Sequence, residues 1–156
     1  MNNNMVITKE LLKEKYDEYN RQYFDGKLGK CVFSLLPENI SYLGMFTVKK
    51  DRNGDRFGWI RLGKCAVWND DLLKVVLIHE MIHMYNHLVE GGLAATWPFN
   101  GLFGHGFFFK RQCWRIRRKY GLKINANIQI RNKIIYVRKE LEPSLVNRIF
   151  SRILGC

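Results

Sequence analysis

Cysteine is scarce in this sequence, and so are the long apolar stretches that would mark a membrane protein or an exported one. The four cysteines lie 34, 48 and 43 residues apart without a CxxC pair, which argues against a zinc ribbon and a disulfide framework. No run of about 18 apolar residues is free of charge, and residues 1–4 lack the basic and apolar regions of a signal peptide. We therefore expect one cytoplasmic domain without a membrane span, with buried or free thiols at Cys31, Cys65, Cys113 and Cys156.

Acidic residues are also scarce, but only in the last third of the chain. The net charge is +12, and residues 106–156 carry 13 basic residues against Glu140 and Glu142 alone. The first 105 residues are nearly balanced, with 13 basic and 12 acidic residues. Such an asymmetry favours a polyanionic partner, most commonly nucleic acid. The alternative is an ordinary solvated surface that keeps a small protein in solution.

Histidine is rare too, and all four histidines fall within residues 79–105. Two of them form the motif His79-Glu80-Met81-Ile82-His83. On an α-helix, positions i and i+4 lie one turn apart on one face, so His79 and His83 can bind one ion. Glu80 points about 100° away and can reach a water molecule on that ion. A shuffled chain of this composition contains the motif in roughly 0.5% of cases, so the pattern predicts a zinc hydrolase.

The residues around the motif predict a buried helix over about 70–88. Asn69 is a suitable N-cap, and Asp70 and Asp71 suit the positive end of the helix dipole. Apolar residues then cover nearly the whole circumference, as in a helix inside a small domain: Leu72, Leu73, Val75, Val76, Ile78 and Ile82. The alternative is that His79 and His83 are core histidines with ordinary hydrogen bonds.

A catalytic zinc usually has three protein ligands and an open position, so a third ligand is needed. His87 lies roughly 12 Å beyond His79 along the helix, too far for donor atoms that must sit about 3–4 Å apart. Glu90 would require the chain to fold straight back, which Gly91-Gly92 permits. His105 fits better, because flanking glycines allow close backbone approach. The other downstream candidates are Cys113, Glu140, Glu142 and Cys156.

We expect His105 to project from the first turn of a second helix that ends at Gly121. Its inward face would carry side chains at spacings of four, four, three and four: His105, Phe109, Cys113, Ile116 and Tyr120. The opposite face is basic and includes an indole, a combination suited to phosphate contacts and base stacking. The candidate nucleic-acid-binding residues are Lys110, Arg111, Trp114, Arg115 and Arg118. A charged surface without a ligand is the alternative.

The remaining segments predict an α+β domain with a small antiparallel sheet. A first helix begins after Thr8 and ends at Asp25-Gly26. Strands are expected at Cys31–Leu36, Ile40–Val48 and Phe57–Leu62, the last two joined across Asn53-Gly54. Beyond the second helix we expect a hairpin, Leu122–Ile130 with Ile134–Arg138, and a short basic helix, Pro143–Leu154.

The loop between the two site helices, residues 91–104, is unusually apolar for an exposed loop. It contains Trp97, Phe99 and Phe103, which could form a mobile rim that grips substrate beside the metal. A loop packed onto the core is an equally good interpretation.

Taken together, these segments resemble the SprT-like metalloprotease family over roughly residues 8–124. The resemblance rests on the HExxH motif at His79–His83 followed by Gly104-His105-Gly106, and on Tyr23–Leu28 and Gly58–Leu62. It implies a zincin-like protease core at 1–124, with a basic hairpin and helix at 125–156. It also implies one Zn²⁺ held by His79, His83 and His105, with Glu80 as the catalytic base.

By the same resemblance, the substrates are DNA-associated or DNA-crosslinked proteins, and the partner is single-stranded or junction DNA. The sequence departs from the family in lacking a cysteine zinc ribbon after the core and in the apolar character of residues 91–104. Two alternatives remain open at this point. One is a zinc peptidase that works without DNA, and the other is a non-enzymatic DNA- or partner-binding protein with a structural zinc site.

Overall fold

The computed structural model describes residues 5–37, 42–64, 66–95 and 104–125. Three helices and three strands follow in the order α1 (Lys9–Phe24), β1 (Cys31–Leu36), β2 (Gly44–Lys50), β3 (Arg56–Gly63), α2 (Asp70–Met84) and α3 (Phe107–Tyr120). The predicted hairpin and helix of residues 122–156 lie almost wholly outside the described residues, and so do Trp97, Phe99 and Phe103.

Helix α1 begins and ends where the sequence predicts. The Thr8 hydroxyl accepts a hydrogen bond from the Leu11 amide at 3.1 Å, which satisfies one of the free N–H groups of the first turn. Asp25 ends the helix in the left-handed conformation, with φ at 54°. The buried residues follow one helical stripe and attach α1 to the core: Leu12, Tyr16, Tyr19 and Tyr23.

The sheet is mixed, and the prediction of an antiparallel sheet was therefore wrong in part. Strands β2 and β3 form the expected antiparallel hairpin, but β1 lies parallel to β3 on its other side. β3 is the central strand, and Ile60 and Leu62 in it are fully buried. Strand propensity is a local property, whereas the choice of neighbour depends on how the chain crosses between strands. β2 consequently lies at an edge of the sheet.

Helix α2 is the central element of the core. The Asn69 side chain accepts a hydrogen bond from the Leu72 amide at 2.8 Å, as expected of an N-cap. The helix contacts β2, α1 and α3. After Met84 the chain continues as a π-helical segment, Tyr85–Glu90, so the predicted helix of about 70–88 ends with wider turns.

Helix α3 starts two residues later than predicted, after Gly106, and Gly121 ends it with φ at 71°. Phe109, Gln112 and Ile116 are its buried residues. Throughout the part of the chain that the structure describes, each helix is too short or too polar to cross a membrane.

Candidate metal centre

Three imidazole nitrogens converge at one point between α2 and α3. The Nε2 atoms of His79 and His83 lie 3.3 Å apart, those of His83 and His105 3.2 Å, and those of His105 and His79 3.0 Å. Ligands bonded to zinc at about 2.0–2.1 Å in tetrahedral geometry are separated by about 3.3–3.4 Å. The three donors are therefore spaced as three corners of a zinc tetrahedron, and the group can hold one metal ion.

Helix α2 and the loop before α3 deliver these ligands in different ways. His79 and His83 lie one turn apart on α2, as the motif predicts. His105 lies two residues before α3, outside the helical turn in which it was expected. Gly104 precedes it with φ at 74°, a conformation that favours glycine. The Gly-His-Gly sequence thus brings the third ring to the site from a loop.

Phe109 supports the three rings from the apolar side. Its ring centroid lies 4.8 Å from that of His79 and 4.7 Å from those of His83 and His105. The side chain has an exposed fraction of 0%. Because a buried aromatic ring fixes the rings that it contacts, Phe109 limits the movement of all three ligands.

A main-chain carbonyl sets the tautomer of His79. Nδ1 of His79 lies 3.1 Å from the carbonyl oxygen of Asn125. A carbonyl can only accept, so Nδ1 carries the proton and the lone pair of Nε2 is left for a metal ion. Asn125 lies 46 residues from His79 along the chain, and no sequence signal identified it.

Burial keeps the three histidines neutral, which is the form that binds metal. Desolvation, with a smaller effect of the nearby His105, lowers the pKa of His79 to about 3. Desolvation also lowers the pKa of His83 well below its usual value, and that of His105 is lowered by the same cause. At neutral pH, protons therefore compete little for these nitrogens.

Glu80 lies next to the ligands on α2, and its residue exposure is 2%. The first residue of β2 makes room for it. A Cβ atom at Gly44 would lie 2.6 Å from Oε1 and 3.0 Å from Cδ of Glu80. The carboxylate thus occupies space that any other residue at position 44 would fill. Gly44 is a site residue that the sequence analysis missed, since nothing local distinguishes it from other glycines.

The competing ligand candidates lie elsewhere. The His87 ring packs 5.7 Å from Phe46 on β2, outside the three-histidine group. Glu90 accepts hydrogen bonds from Arg111 and Gln112 through Oε1, the latter at 2.8 Å. Burial raises the pKa of the Cys113 thiol to about 12, which disfavours the thiolate that a metal would bind. Glu140, Glu142 and Cys156 lie outside the described residues.

The predicted nucleic-acid-binding residues of α3 fall into two sets. Lys110, Trp114 and Arg118 are exposed, and the Arg118 guanidinium lies 5.2 Å from the centroid of the Trp114 ring. Arg111 pairs with Glu90, and the half-buried Arg115 donates to the Tyr23 carbonyl at 2.6 Å. The second set connects α3 to the rest of the domain.

Known proteins are similar to this chain over most of its length. Residues 12–132 match the SprT-like family. The chain is also similar to germ cell nuclear acidic protein from Drosophila melanogaster, with 29% identity over 132 residues. That alignment spans 81% of this chain and 12% of the Drosophila protein. Because the family match covers most of the chain and includes all three converging histidines, the chain belongs to the SprT-like family.

Proposed function

We propose that the protein is a zinc-dependent endopeptidase that cleaves DNA-associated proteins, including proteins crosslinked to DNA. The observation that carries this proposal is the convergence of three neutral imidazoles beside a buried glutamate. Family membership supports it. His79, His83 and His105 are the proposed ligands of one Zn²⁺, and Glu80 is the proposed catalytic base.

The donor set also favours catalysis over a purely structural role. A structural zinc site is usually closed by four protein ligands, whereas a catalytic site keeps one position open. Within the described residues, three donors converge. When bound, a zinc ion supplies Lewis-acid chemistry: it polarises a peptide carbonyl and lowers the pKa of a water molecule towards 7.

The protein side chains then have distinct tasks. Asn125 holds His79 in the tautomer that presents Nε2, and Phe109 restricts the rings. Glu80 accepts the proton of the attacking water and returns it to the leaving amine. Its burial between α2 and β2 limits the positions of the carboxylate, so the base is held where the proton must be taken.

The decisive variant is Glu80→Gln, which keeps the size of the side chain but removes the base. We expect peptide cleavage to fall roughly 10²–10⁴-fold, the usual contribution of a general base, while the zinc content stays at one per chain. His87→Ala is the matched control, because it changes a neighbouring residue outside the ligand group and should leave cleavage intact. Substantial cleavage by zinc-loaded Glu80→Gln protein would refute the proposed role.

The association with DNA rests on the charge of the chain and on its relative. Residues 106–156 carry 13 basic residues and two acidic ones. The Drosophila relative is named as a nuclear protein. We expect the protein to cleave a DNA-binding protein faster when single-stranded DNA is added. Equal rates with and without DNA would instead identify a general zinc peptidase.

A further inference from the structure

A groove runs along one side of α3, next to the metal centre. One wall is a stripe of five α3 residues with spacings of one, three, one and three, and the other wall is the chain that follows the helix. The groove has a volume of about 260 Å³, slightly smaller than the roughly 300–1,000 Å³ of typical small-molecule pockets. Its lining residues are Phe109, Lys110, Cys113, Trp114, Arg117, Lys123, Ile124 and Asn125.

The charge in this groove is all of one sign. Lys110, Arg117 and Lys123 line it, and none of its lining residues is acidic. Among the described residues, no carboxylate lies within 4.0 Å of these three cations. Other cations of α3 differ, since Arg111 pairs with Glu90 and Lys119 lies 3.6 Å from Asp25. Three uncompensated cations around one cleft make a favourable place for phosphate groups.

The groove also contains an exposed aromatic surface. Trp114 has an exposed fraction of 59%, which is unusual for so large an apolar side chain. Arg118 lies over the indole at 5.2 Å and adds a further cation at the edge of the groove. An exposed indole among cations can stack on a planar base while the cations contact the adjoining phosphates.

We propose that this groove binds single-stranded nucleic acid, with a base on Trp114 and neighbouring phosphates on Lys110, Arg117 and Lys123. The inference rests on the DNA association proposed above and assigns it to a defined surface. Bases within a duplex are already stacked on each other, so an indole contact requires a single strand.

Two residues connect the groove to the metal centre. Phe109 and Asn125 line the groove, and the same two residues contact the histidines, Phe109 through its ring and Asn125 through its carbonyl. A strand bound in the groove would therefore lie close to the metal-ligand candidate His79. This arrangement brings a protein carried on that strand close to the metal centre.

The test uses the full-length, zinc-loaded protein and two labelled probes with equal numbers of phosphates. One probe is a 12-nucleotide oligothymidine, and the other is an abasic strand of the same length. Trp114→Leu removes stacking, Trp114→Phe retains part of it, and Lys110→Ala/Arg117→Ala removes two phosphate contacts. Lys9→Ala/Lys119→Ala is the control, because it removes the same charge from exposed residues outside the groove.

In anisotropy titrations we expect wild-type protein to prefer oligothymidine over the abasic strand. Trp114→Leu should weaken oligothymidine binding roughly tenfold and remove the preference over the abasic strand. Trp114→Phe should restore part of the affinity and part of the preference. Lys110→Ala/Arg117→Ala should lower the log–log salt slope by about 1.4, since each phosphate contact contributes about 0.7 for a single strand. The control should change the slope much less. Thermal melting and zinc content verify that each variant is folded.

Three results would overturn the inference. If every groove variant bound DNA as tightly as the wild type, nucleic acid would bind on another surface, and the proposed DNA association would stand. If the wild-type protein bound neither probe at low salt, the proposed DNA association would be wrong as well. The peptidase assignment would still be decided by the Glu80→Gln test. The wild-type protein could instead bind poly-glutamate and not oligothymidine. If the groove variants lost that binding, the groove would be a site for acidic peptides.

Discussion

Helices α2 and α3 both border the metal centre, but the two are constructed differently. Ten of the 15 residues of α2 are buried, including His79 and Glu80, and a side chain caps its start. Only three of the 14 residues of α3 are buried, and Gly106 begins it without a side-chain cap. α2 therefore holds its ligands by its own packing. The ligand associated with α3 depends instead on a glycine-flanked turn and on Phe109.

The strongest test of this difference removes a ligand from α2. His83→Ala leaves two donors, so we expect zinc content to fall close to zero and cleavage to disappear. The loss of zinc affinity should exceed the roughly 10–100-fold loss that follows when a hydrogen bond to a metal ligand is removed. Metal analysis after gel filtration, together with a peptide-cleavage assay, measures both effects. Retention of one zinc per chain would show that the three-histidine group is not the binding site.

A large effect on stability is expected when the ring beneath the ligands is removed. Phe109→Ala should lower the free energy of unfolding by about 3–5 kcal/mol, because a fully buried ring leaves a cavity. Phe107→Ala is a control on the same helix, since Phe107 has an exposed fraction of 65% and should cost little. Urea denaturation of both variants gives the comparison. Equal effects would mean that α3 is not anchored through Phe109.

A variant at Gly44 tests the position of the Glu80 carboxylate separately from the stability of the fold. Gly44→Ala places a methyl group 2.6 Å from Oε1 of Glu80, and the flexible carboxylate must move aside. A displacement of a catalytic group by about 1 Å costs about 10²-fold in catalysis, so we expect kcat to fall by about that factor. The melting temperature and zinc content should change little.

Gly29→Ala is the matched control, because nothing lies within 4 Å of a Cβ atom at that position. Both variants are compared with wild type in kcat and melting temperature. A Gly44→Ala protein with unchanged kcat would show that the carboxylate can work from another position. Parallel loss of stability and activity would indicate a role in the fold alone.

The smallest expected effect is a pH dependence of the metal-free protein. The unfolded chain binds a proton at His79 below about pH 6.5, whereas the folded chain, with a pKa of about 3, does not. Stability should therefore fall as the pH falls through 6.5, by about 1 kcal/mol for His79 between pH 7 and 5.5. Urea denaturation in the presence of a chelator measures this change. A flat profile would contradict the burial of neutral histidines.

The difference between the helices also explains what could be predicted from the sequence. α2 was predicted well because its cap and its apolar pattern are local signals, and the motif fixes the relation between His79 and His83. His105 was found because glycine on both sides of a histidine is itself an unusual local pattern. The parallel pairing of β1 with β3 could not be read, since neither strand carries a signal for its neighbour.

Two kinds of contact could not be predicted from the sequence: those made by main-chain groups, and those made possible by a missing side chain. The Asn125 carbonyl is a group that every residue possesses, and Gly44 matters because of a side chain that it lacks. The basic face of α3 was predicted as one surface, but Arg111 and Arg115 are engaged with Glu90 and the Tyr23 carbonyl. Only the positions of distant residues reveal which cations are already occupied.

The hydrogen bonds of Glu90 have a consequence for the length of the chain between α2 and α3. Glu90 ends the π-helical segment and is fastened to Arg111 and Gln112 of α3. Arg111 and Gln112 follow His105 by six and seven residues, so these hydrogen bonds join the two ends of the connection between Glu90 and Gly104. Doubling the length of a loop costs only about 0.6 kcal/mol in closure entropy. We therefore expect changes in the length of the connection between Glu90 and Gly104 to leave the position of His105 almost unaltered.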